Sequence, residues 1–504
     1  MDAMAGDTAE TTAPPPADDV GAHSVHTYDV DAVNSAERRS LYKARVPIYP
    51  KLVHGKFRAL KWAVMAVTLG LYYALPWVRW ERGPAEPNQA ILVDFEGRRF
   101  YFFFIEIWPD ELYYVTGLLI IAALGLFLAT ALFGRLWCGY TCPQTVWTDL
   151  FIAVERLIEG DRNKRIRLSK SPWTPGKIGK KVAKHAVWIF IGMATGGAWI
   201  FYFHDAPTIA AQFLKGEAPF TAYFFFGLLT FTTYIFAGSM REQVCTYMCP
   251  WPRIQAALTD EETLQVTYKA DRGEPRGPHK KGESWEGRGD CVSCKACVAA
   301  CPMGIDIRDG AQLECINCAL CIDACDEIMA KVGRPLGLIG YDTDANMDRR
   351  AAGRKPQSNL LRARTMLYGV VLVLVSAIML YTLVNRDTVN LNVLRDRTPP
   401  YVLLSDGSVR NAYTVKIVNR DNTLRSFQLD VDGPAEMTLT AVGEEFDGGS
   451  RIVTAGGDAV RSLRLFITMP SDALAEPSIP ITISVTDVDS GEKAVNPTVF
   501  LSKG

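Results

Sequence analysis

The stretch from Cys291 to Cys325 reads CVSCKACVAACPMGIDIRDGAQLECINCALCIDAC and contains eight cysteines in two identical runs. Each run has the spacing Cys-x2-Cys-x2-Cys-x3-Cys. Three thiols at this spacing wrap the chain around three corners of an iron–sulfur cube, and the fourth reaches the other cube of a two-cluster protein. The stretch therefore predicts a two-cluster ferredoxin domain over residues 291–330.

The crossing of the fourth ligand assigns each thiol to one of two [4Fe-4S] clusters. The first cluster is predicted to take Cys291, Cys294, Cys297 and Cys325, and the second to take Cys315, Cys318, Cys321 and Cys301. A zinc site or a disulfide framework fits less well, because a zinc site usually pairs two Cys-x2-Cys knuckles and leaves no cysteine over. All eight cysteines are therefore candidate metal ligands.

Five apolar stretches elsewhere in the chain of 504 residues approach the length of a membrane span. A membrane helix needs ~20 predominantly apolar residues. The stretches lie near residues 57–77, 112–133, 182–203, 221–239 and 366–384. They predict a multi-domain integral membrane protein with an α-helical transmembrane bundle of about five helices, four in residues 51–258 and the fifth in residues 366–385.

The positions of Lys and Arg predict the orientation, because basic loops stay on the cytoplasmic side. The segments from Arg38 to Lys61 and from Arg135 to Lys184 are both basic. We expect a multi-pass protein of the bacterial inner membrane, with the α+β ferredoxin insert in the cytoplasm and the carboxyl-terminal domain in the periplasm. The remaining segments are predicted to be a disordered cytoplasmic tail, a linker and a cytoplasmic linker, at residues 1–50, 259–290 and 331–365.

Residues 386–504 change to short runs in which apolar and polar residues alternate. Tyr413–Val418 and Ile479–Val485 are two such runs, and turn signals such as Asp406-Gly407 separate them. This spacing is typical of an all-β sandwich of the immunoglobulin type. The segment contains no cysteine, so the disulfide of antibody domains is absent.

Two further cysteine pairs share one motif. They are Cys138-Gly-Tyr-Thr-Cys142-Pro143 and Cys245-Thr-Tyr-Met-Cys249-Pro250, each directly after an apolar stretch. Cysteines four residues apart share a helix face, and a following proline ends or kinks the helix. The four thiols are therefore candidate catalytic residues at the membrane edge, where thiolates select copper(I), zinc or an iron–sulfur centre. A reversible disulfide is a further reading.

The chain has neither a G-x-G-x-x-G turn after a strand nor a P-loop, so we expect no nicotinamide, flavin or nucleotide domain. Electrons must then come from a partner, an electron donor that these residues do not identify. We expect a membrane environment and no nucleic-acid partner.

Taken together, these features resemble the CcoG family, also called FixG or RdxA, the accessory proteins of cbb3-type cytochrome c oxidase. The resemblance runs from about Arg45 to Gly504. It rests on the paired Cys-x3-Cys-Pro motifs, the Arg272-Gly-Glu-Pro-Arg276 stretch, the double cysteine run, the late fifth helix and the immunoglobulin-like tail. One departure from the ferredoxin pattern is Asp326, which follows the last cysteine where the first run has Pro302.

The resemblance implies a copper(II) reductase that supplies copper(I) for the copper centre of the oxidase. Copper would be the substrate, and oxidase subunits or copper carriers would be partners. The cysteines that match the family's membrane motifs are Cys138, Cys142, Cys245 and Cys249. Two other functions fit the same residues: a quinol-linked membrane ferredoxin that passes electrons to another reductase, and a non-catalytic scaffold for oxidase assembly.

Overall fold

The computed structural model describes residues 25–34, 46–83, 86–280, 282–421, 423–434, 436–443, 451–474 and 476–502. The predicted disorder of residues 1–24 and 35–45 lies outside these ranges. Contacts divide the chain into two compact units, Met1–Trp80 with Gln89–Met379 and Glu81–Asn88 with Leu380–Gly504. The first unit contains the cysteine motifs, and the second contains the carboxyl-terminal strands.

Helices make up most of the first unit. In chain order they are α1 (Lys56–Ala74), α2 (Tyr113–Phe133), α3 (Leu136–Tyr140), α4 (Pro143–Glu159), α5 (Arg162–Lys170), α6 (Pro175–Ile200), α7 (Ala206–Lys215), α8 (Phe220–Thr233), α9 (Trp251–Leu258), α10 (Ala270–Gly273), α11 (Ala296–Ala300), α12 (Leu320–Lys331), α13 (Asp344–Ala351) and α14 (Ala363–Val384). Two π-helical segments, Tyr234–Met240 and Val244–Met248, follow α8. A small antiparallel sheet of β1 (Ile91–Asp94), β2 (Arg99–Phe102) and β3 (Ile105–Ile107) joins α1 to α2.

Four helical stretches in the described part of the chain are long and apolar enough to cross a membrane. They are Lys56–Trp77, Pro109–Phe133, Phe220–Met240 and Ala363–Val384. The prediction of a helical membrane protein is therefore confirmed. The remaining predicted crossing, near residues 182–203, falls in α6, a helix of 26 residues whose first part is rich in lysine. This helix is not among the four, so the count of five stays a prediction.

A two-stranded antiparallel sheet closes the module that carries the eight cysteines. Strand β4 (Gln265–Tyr268) pairs with β5 (Ile339–Asp342). Val266 and Ile339 are buried in the same core as the cysteine runs. These strands come from the segments 259–290 and 331–365, which the sequence analysis treated as linkers. A run of forty or so residues buries too little apolar surface to fold alone, so the flanking strands complete the module.

Residues 25–34 lie against the cysteine module. The backbone N–H of Tyr28 donates to the carbonyl of Cys294 at 2.9 Å, and that of Val33 donates to the carbonyl of Gly304 at 2.8 Å. The side-chain amide of Asn34 donates to the carbonyl of Met303 at 2.7 Å. This part of the segment 1–50 therefore has a defined place on the module.

The module is joined to the first membrane helix through a carboxylate. Asp323, in α12, accepts hydrogen bonds from the backbone N–H groups of Phe57 and Arg58 at 3.3 and 2.7 Å. A carboxylate satisfies the free N–H groups of a helix N-terminus and opposes the positive end of the helix dipole. The cysteine module thus supplies the cap of α1.

The side chain of Arg58 also forms a buried ion pair. Arg58 donates two hydrogen bonds to Asp149 of α4, both at 2.9 Å, and Lys61 lies 4.0 Å from the same carboxylate. Burial by itself raises the pKa of Asp149, but Lys61 and Arg58 outweigh it and hold that pKa below its usual range. The carboxylate is therefore a permanent negative charge between α1 and α4 at neutral pH.

We expect Asp149→Asn to lower the free energy of unfolding by about 3–5 kcal/mol, because Arg58 would be left as a buried charge without its partner. Thermal unfolding of the purified protein in detergent measures the loss. Lys331→Gln, which breaks the exposed pair with Glu327, is the control and should change stability by less than about 1 kcal/mol. Equal effects of the two substitutions would contradict the expectation.

The same ion pair makes the free energy of unfolding depend on pH in the acid range. The pKa of Asp149 is lower in the folded protein than in the unfolded chain. The contribution of Asp149 to the free energy of unfolding is therefore complete above the unfolded pKa of about 3.9, and it is lost as the pH falls through the folded pKa. In Asp149→Asn the corresponding part of the acid sensitivity should disappear.

The second unit is a sandwich of two antiparallel sheets, as the alternation predicts. Its strands are β6 (Val389–Arg395), β7 (Val402–Leu403), β8 (Val409–Asn419), β9 (Arg425–Asp432), β10 (Thr438–Ala441), β11 (Ile452–Ala455), β12 (Ala459–Met469), β13 (Ser478–Asp487) and β14 (Lys493–Leu501). One sheet has the order β10-β12-β8-β6 with β7 beside β8, and the other has the order β11-β9-β13-β14. Tyr413 of the first sheet donates to the carbonyl of Val499 in the second at 2.9 Å, across the core.

Candidate functional site

The eight cysteines of the module line two separate cavities. The first is lined by Cys291, Cys294, Cys297 and Cys325. The second is lined by Cys301, Cys315, Cys318 and Cys321, and Cys297 also reaches it. The structure thus brings together the two sets that the crossing rule assigns, with the last cysteine of each run at the cavity of the other.

The two runs repeat one local backbone geometry. Ser293 and Lys295 in the first run have φ of 53° and 56°, and Asn317 and Ala319 in the second have φ of 52° and 59°. Left-handed residues next to ordinary ones turn successive N–H groups towards one point, a concavity that suits an anionic iron–sulfur centre. The central thiol of each run therefore sits in a backbone turn of the same shape.

Backbone N–H groups point at several of the thiols. Those of Met303 and Ile305 donate to Cys301, and that of Asn317 donates to Cys315. Such bonds stabilise negative charge on sulfur and tune the potential of a bound cluster. Four thiols, an apolar lining and N–H donors fit a [4Fe-4S] cluster at each cavity. The ligand assignment itself stays a prediction.

The four membrane-edge thiols are neighbours. Cys142 and Cys249 lie close enough to Cys138 to interact electrostatically with its thiol. The other three thiols interact in the same way with the thiol of Cys245. Burial, reinforced by Cys142, raises the pKa of Cys138 to about 12, and burial with the neighbouring thiols raises the pKa of Cys245 to about 12 as well. Both thiols are therefore protonated at neutral pH until a metal or an oxidant displaces the proton.

The site has a buried side and an open side. Cys138 and Cys245 are largely buried, whereas Cys249 is exposed. Cys138 donates to the side-chain oxygen of Gln255 in α9 at 3.1 Å, and Gln255 is fully buried. Within the described residues, no three Cys, His, Asp or Glu side chains converge on a point suited to one metal ion, either here or at the cavities. Cys249 is therefore the most solvent-accessible of the four thiols.

The expectation that each pair shares one helix face is wrong. Cys138 lies in α3, which ends at Tyr140, and Cys142 precedes Pro143, the first residue of α4. In the second pair, Cys245 lies in a π-helical segment and Cys249 is the extended residue after it. Proline suits the first turn of a helix because it has no N–H to leave unpaired, so Pro143 starts a helix instead of ending one.

The first motif packs directly on the second cysteine run. A Cβ atom on Gly139 would lie 2.6 Å from the carbonyl oxygen of Ile316 and 3.0 Å from the Cα of Cys318. Tyr140 donates to the carbonyl of Cys318 at 3.4 Å, and Arg135 donates to the carbonyl of Cys315 at 3.3 Å. The Cys315–Cys318 loop is therefore the part of the module that touches the first membrane-edge motif.

We expect Gly139→Ala to destabilise the protein by about 1–3 kcal/mol, because the added methyl group overlaps backbone atoms that cannot move aside cheaply. The thermal unfolding midpoint and the iron retained after gel filtration measure the effect. Gly125→Ala in α2 is the matched control, since no atom beyond its chain neighbours and its own helix backbone lies within 4 Å of its new methyl group. A neutral Gly139→Ala would mean that the two loops are not in contact.

Comparison with known proteins identifies the chain. It is 50% identical over 502 residues to the nitrogen fixation protein FixG of Rhizobium meliloti strain 1021, an alignment that covers 94% of this chain and 96% of that protein. The chain belongs to the FixG/RdxA family. The protein RdxB of Cereibacter sphaeroides is also 50% identical, over 92% of this chain and 98% of its own length.

Three domain families match parts of this FixG/RdxA protein. Residues 240–344 match a family described as "4Fe-4S dicluster domain", and residues 379–503 match one described as "IG-like fold at C-terminal of FixG". Residues 115–165 match a "4Fe-4S binding domain". A crystal structure of a FixG-related protein from Vibrio parahaemolyticus aligns with 23% of this chain and 98% of its own, at 21% identity and a TM-score of 0.21, which is too low to support a fold assignment.

These matches confirm an iron–sulfur oxidoreductase family with 4Fe-4S domains, membrane helices and an immunoglobulin-like domain. One match also bears on the iron–sulfur alternative for the membrane-edge thiols. The match at residues 115–165 contains only Cys138 and Cys142 as cysteines, so the membrane-edge motif lies in a segment typical of iron–sulfur proteins.

Proposed function

We propose that this protein reduces copper(II) to copper(I) for assembly of the copper centre of a cbb3-type cytochrome c oxidase. The observation that carries the proposal is the packing of the Cys138–Cys142 loop on the Cys315–Cys318 loop, with Gly139 at the contact. This contact puts thiols suited to copper(I) next to thiols suited to a [4Fe-4S] cluster. The proximity supports electron delivery at the membrane edge.

In this proposal the eight cysteines of the module hold two [4Fe-4S] clusters, in the sets Cys291, Cys294, Cys297 with Cys325 and Cys315, Cys318, Cys321 with Cys301. When bound, the clusters would supply one-electron transfer. The protein's part is to place the Cys315–Cys318 loop against the membrane-edge motif and to exclude water with the apolar core around both cavities.

Copper is the substrate of the four membrane-edge thiols. Copper(II) arrives at the exposed Cys249, and one electron converts each copper(II) ion to copper(I). Cys138 and Cys245 lose their protons when they bind metal, because only a thiolate is a good ligand. Thiolates favour copper(I), so the site stabilises the product of the reduction.

The proposal includes five crossings of the bacterial inner membrane, with α6 as the third. Tyr202, just beyond α6, donates to the carbonyl of Tyr72 near the end of α1 at 2.9 Å. At the other end, Lys184 of α6 lies 3.5 Å from Glu155 of α4, the helix that also pairs with the start of α1. The end of α6 therefore lies beside the end of α1, and its amino-terminal part lies against α4. With five crossings and the basic segments inside, the module would lie in the cytoplasm and the sandwich in the periplasm.

The decisive experiment is an anaerobic stopped-flow measurement on the purified protein. The protein is reduced, mixed with copper(II), and followed through the visible absorption of the clusters and through a copper(I)-specific chelator. We expect cluster oxidation and copper(I) formation to match in rate and in stoichiometry. Clusters that stay reduced in the presence of copper(II) would overturn the proposal and favour a quinol-linked electron carrier.

A second candidate role for the membrane-edge thiols is favoured by the family match at residues 115–165. Under it, the four thiols hold a further iron–sulfur centre instead of binding copper. The iron content of membrane-edge variants distinguishes the two roles, as set out in the Discussion.

A further inference from the structure

Arg135, between α2 and α3, is a buried cation without a carboxylate partner among the described residues. Its side chain is 8% exposed. Its guanidinium donates to three backbone carbonyls, those of Leu313, Cys315 and Pro252, the last at 2.7 Å. A buried charge is costly unless an opposite charge compensates it.

The titratable groups that interact electrostatically with Arg135 are thiols. Burial lowers the pKa of Arg135, and the nearby Cys138 and Cys315 oppose that effect. Cys315 is one of the four cysteines at the second cavity. A cluster held there by thiolates would be the anion that this guanidinium otherwise lacks.

The cations at the first cavity are paired with carboxylates. Arg308 faces Cys297 and Cys291, but it forms a two-pronged pair with Asp306, at 2.9 and 2.6 Å. A further carboxylate, Asp326, acts on Cys325. Lys295 also lines this cavity and is paired with Asp31 at 2.9 Å. Both cations at the first set of thiols are therefore paired with a carboxylate, whereas Arg135, beside the second set, has no carboxylate partner among the described residues.

We propose that the cluster site of Cys301, Cys315, Cys318 and Cys321 has the higher reduction potential of the two, because Arg135 stabilises its added electron. At the other site Asp31 and Asp306 offset the two cations, and Asp326 opposes an added electron. Net charge around a cluster is one of the factors that set its potential. The inference deepens the proposed function, on which it rests for the final acceptor. It assigns the first site as the entry for electrons and the second as the exit.

The path is short and needs no chemistry beyond electron transfer. Cys297 lines both cavities, so the two sites share a wall. Clusters held in the two sites would exchange one electron, with no bond formed or broken and no proton transferred. The second site is also the one whose loop touches the membrane-edge motif, so the favourable direction leads towards the thiols proposed to bind copper.

The test is a redox titration of the purified full-length protein, followed by electron paramagnetic resonance with no copper present. Arg135→Gln keeps a donor for the carbonyls but removes the charge. We expect this variant to lower the reduction potential of the higher-potential couple. The expected shift is about a tenfold change in the ratio of reduced to oxidised cluster at a given potential, equivalent to about 59 mV for one electron. Arg135→Lys should retain most of the potential.

Two further variants assign the couples. Asp326→Asn should raise the reduction potential of the lower-potential couple and leave that of the higher-potential couple unchanged. Arg364→Gln is the matched control, because Arg364 also donates to backbone carbonyls, those of Leu258 and Thr259, but lies at neither cavity. It should move neither couple. Iron per chain is measured for every variant.

A shift of the lower couple by Arg135→Gln, or of neither couple at full iron content, would overturn the inference. If Arg135→Gln does not retain iron, Asp326→Asn still decides, since a shift of the higher couple by that variant reverses the order. The proposed function is tested separately: failure to reduce copper with the two couples ordered as expected rejects the copper reductase and leaves this inference standing.

Discussion

Replacing Cys301 by serine is expected to remove the cluster of the second cysteine run and to leave the cluster of the first run in place. Cys301 belongs to the first run in sequence, yet it lines the cavity of Cys315, Cys318 and Cys321. Iron per chain should fall to about half, because each cluster needs its four thiolates. Iron analysis and electron paramagnetic resonance of the purified protein measure the loss.

Double variants make this test sharp. Cys301→Ser with Cys318→Ser removes two ligands of the same cluster, so iron should stay at about half of the wild-type value. Cys301→Ser with Cys294→Ser removes one ligand from each, so iron should fall close to zero. The reverse pattern would show that each run holds its own cluster and that the crossing is wrong.

The second large effect is expected at the membrane edge. Cys138→Ser with Cys249→Ser should abolish copper(I) formation while both clusters of the module remain, because one partly buried and one exposed thiol of the proposed copper site are lost together. Copper(I) trapped by a chelator, after anaerobic reduction of the protein, measures the loss. We expect a fall of about a hundredfold or more, typical of the removal of groups that contact the reacting atom.

Thr141→Ala is the matched control, since Thr141 lies between the two cysteines of the first motif and its hydroxyl only donates to the carbonyl of Trp137 at 3.3 Å. Undiminished copper reduction in the double cysteine variant would remove these thiols from the mechanism. Loss of iron from that variant, with cysteines 291–325 intact, would instead assign the membrane-edge thiols to a further iron–sulfur centre.

Much of the fold follows from local pattern. The apolar stretches near residues 57–77, 112–133, 221–239 and 366–384 coincide with helices able to cross a membrane, and the alternating runs after Thr388 form the two-sheet sandwich. These signals are readable because a bilayer demands a minimum apolar length and a half-buried strand demands a period of two residues. The strands at 265–268 and 339–342 were not recognised, since each has only four residues and pairs with a partner far along the chain.

The spacing of the cysteines by itself determined the two sets of candidate cluster ligands, because three of the four thiols in each set lie within seven residues and the fourth follows from a fixed rule. Only the tertiary structure decided which set adjoins the membrane-edge thiols, that the Cys-x3-Cys pairs do not lie along single helices, and that Arg135 has no carboxylate partner among the described residues. Tyr140 and Cys318 are 178 positions apart, as are Arg135 and Leu313. Contacts of that kind depend on how helices pack against the module, and a buried charge becomes visible only when every group that surrounds it has a place.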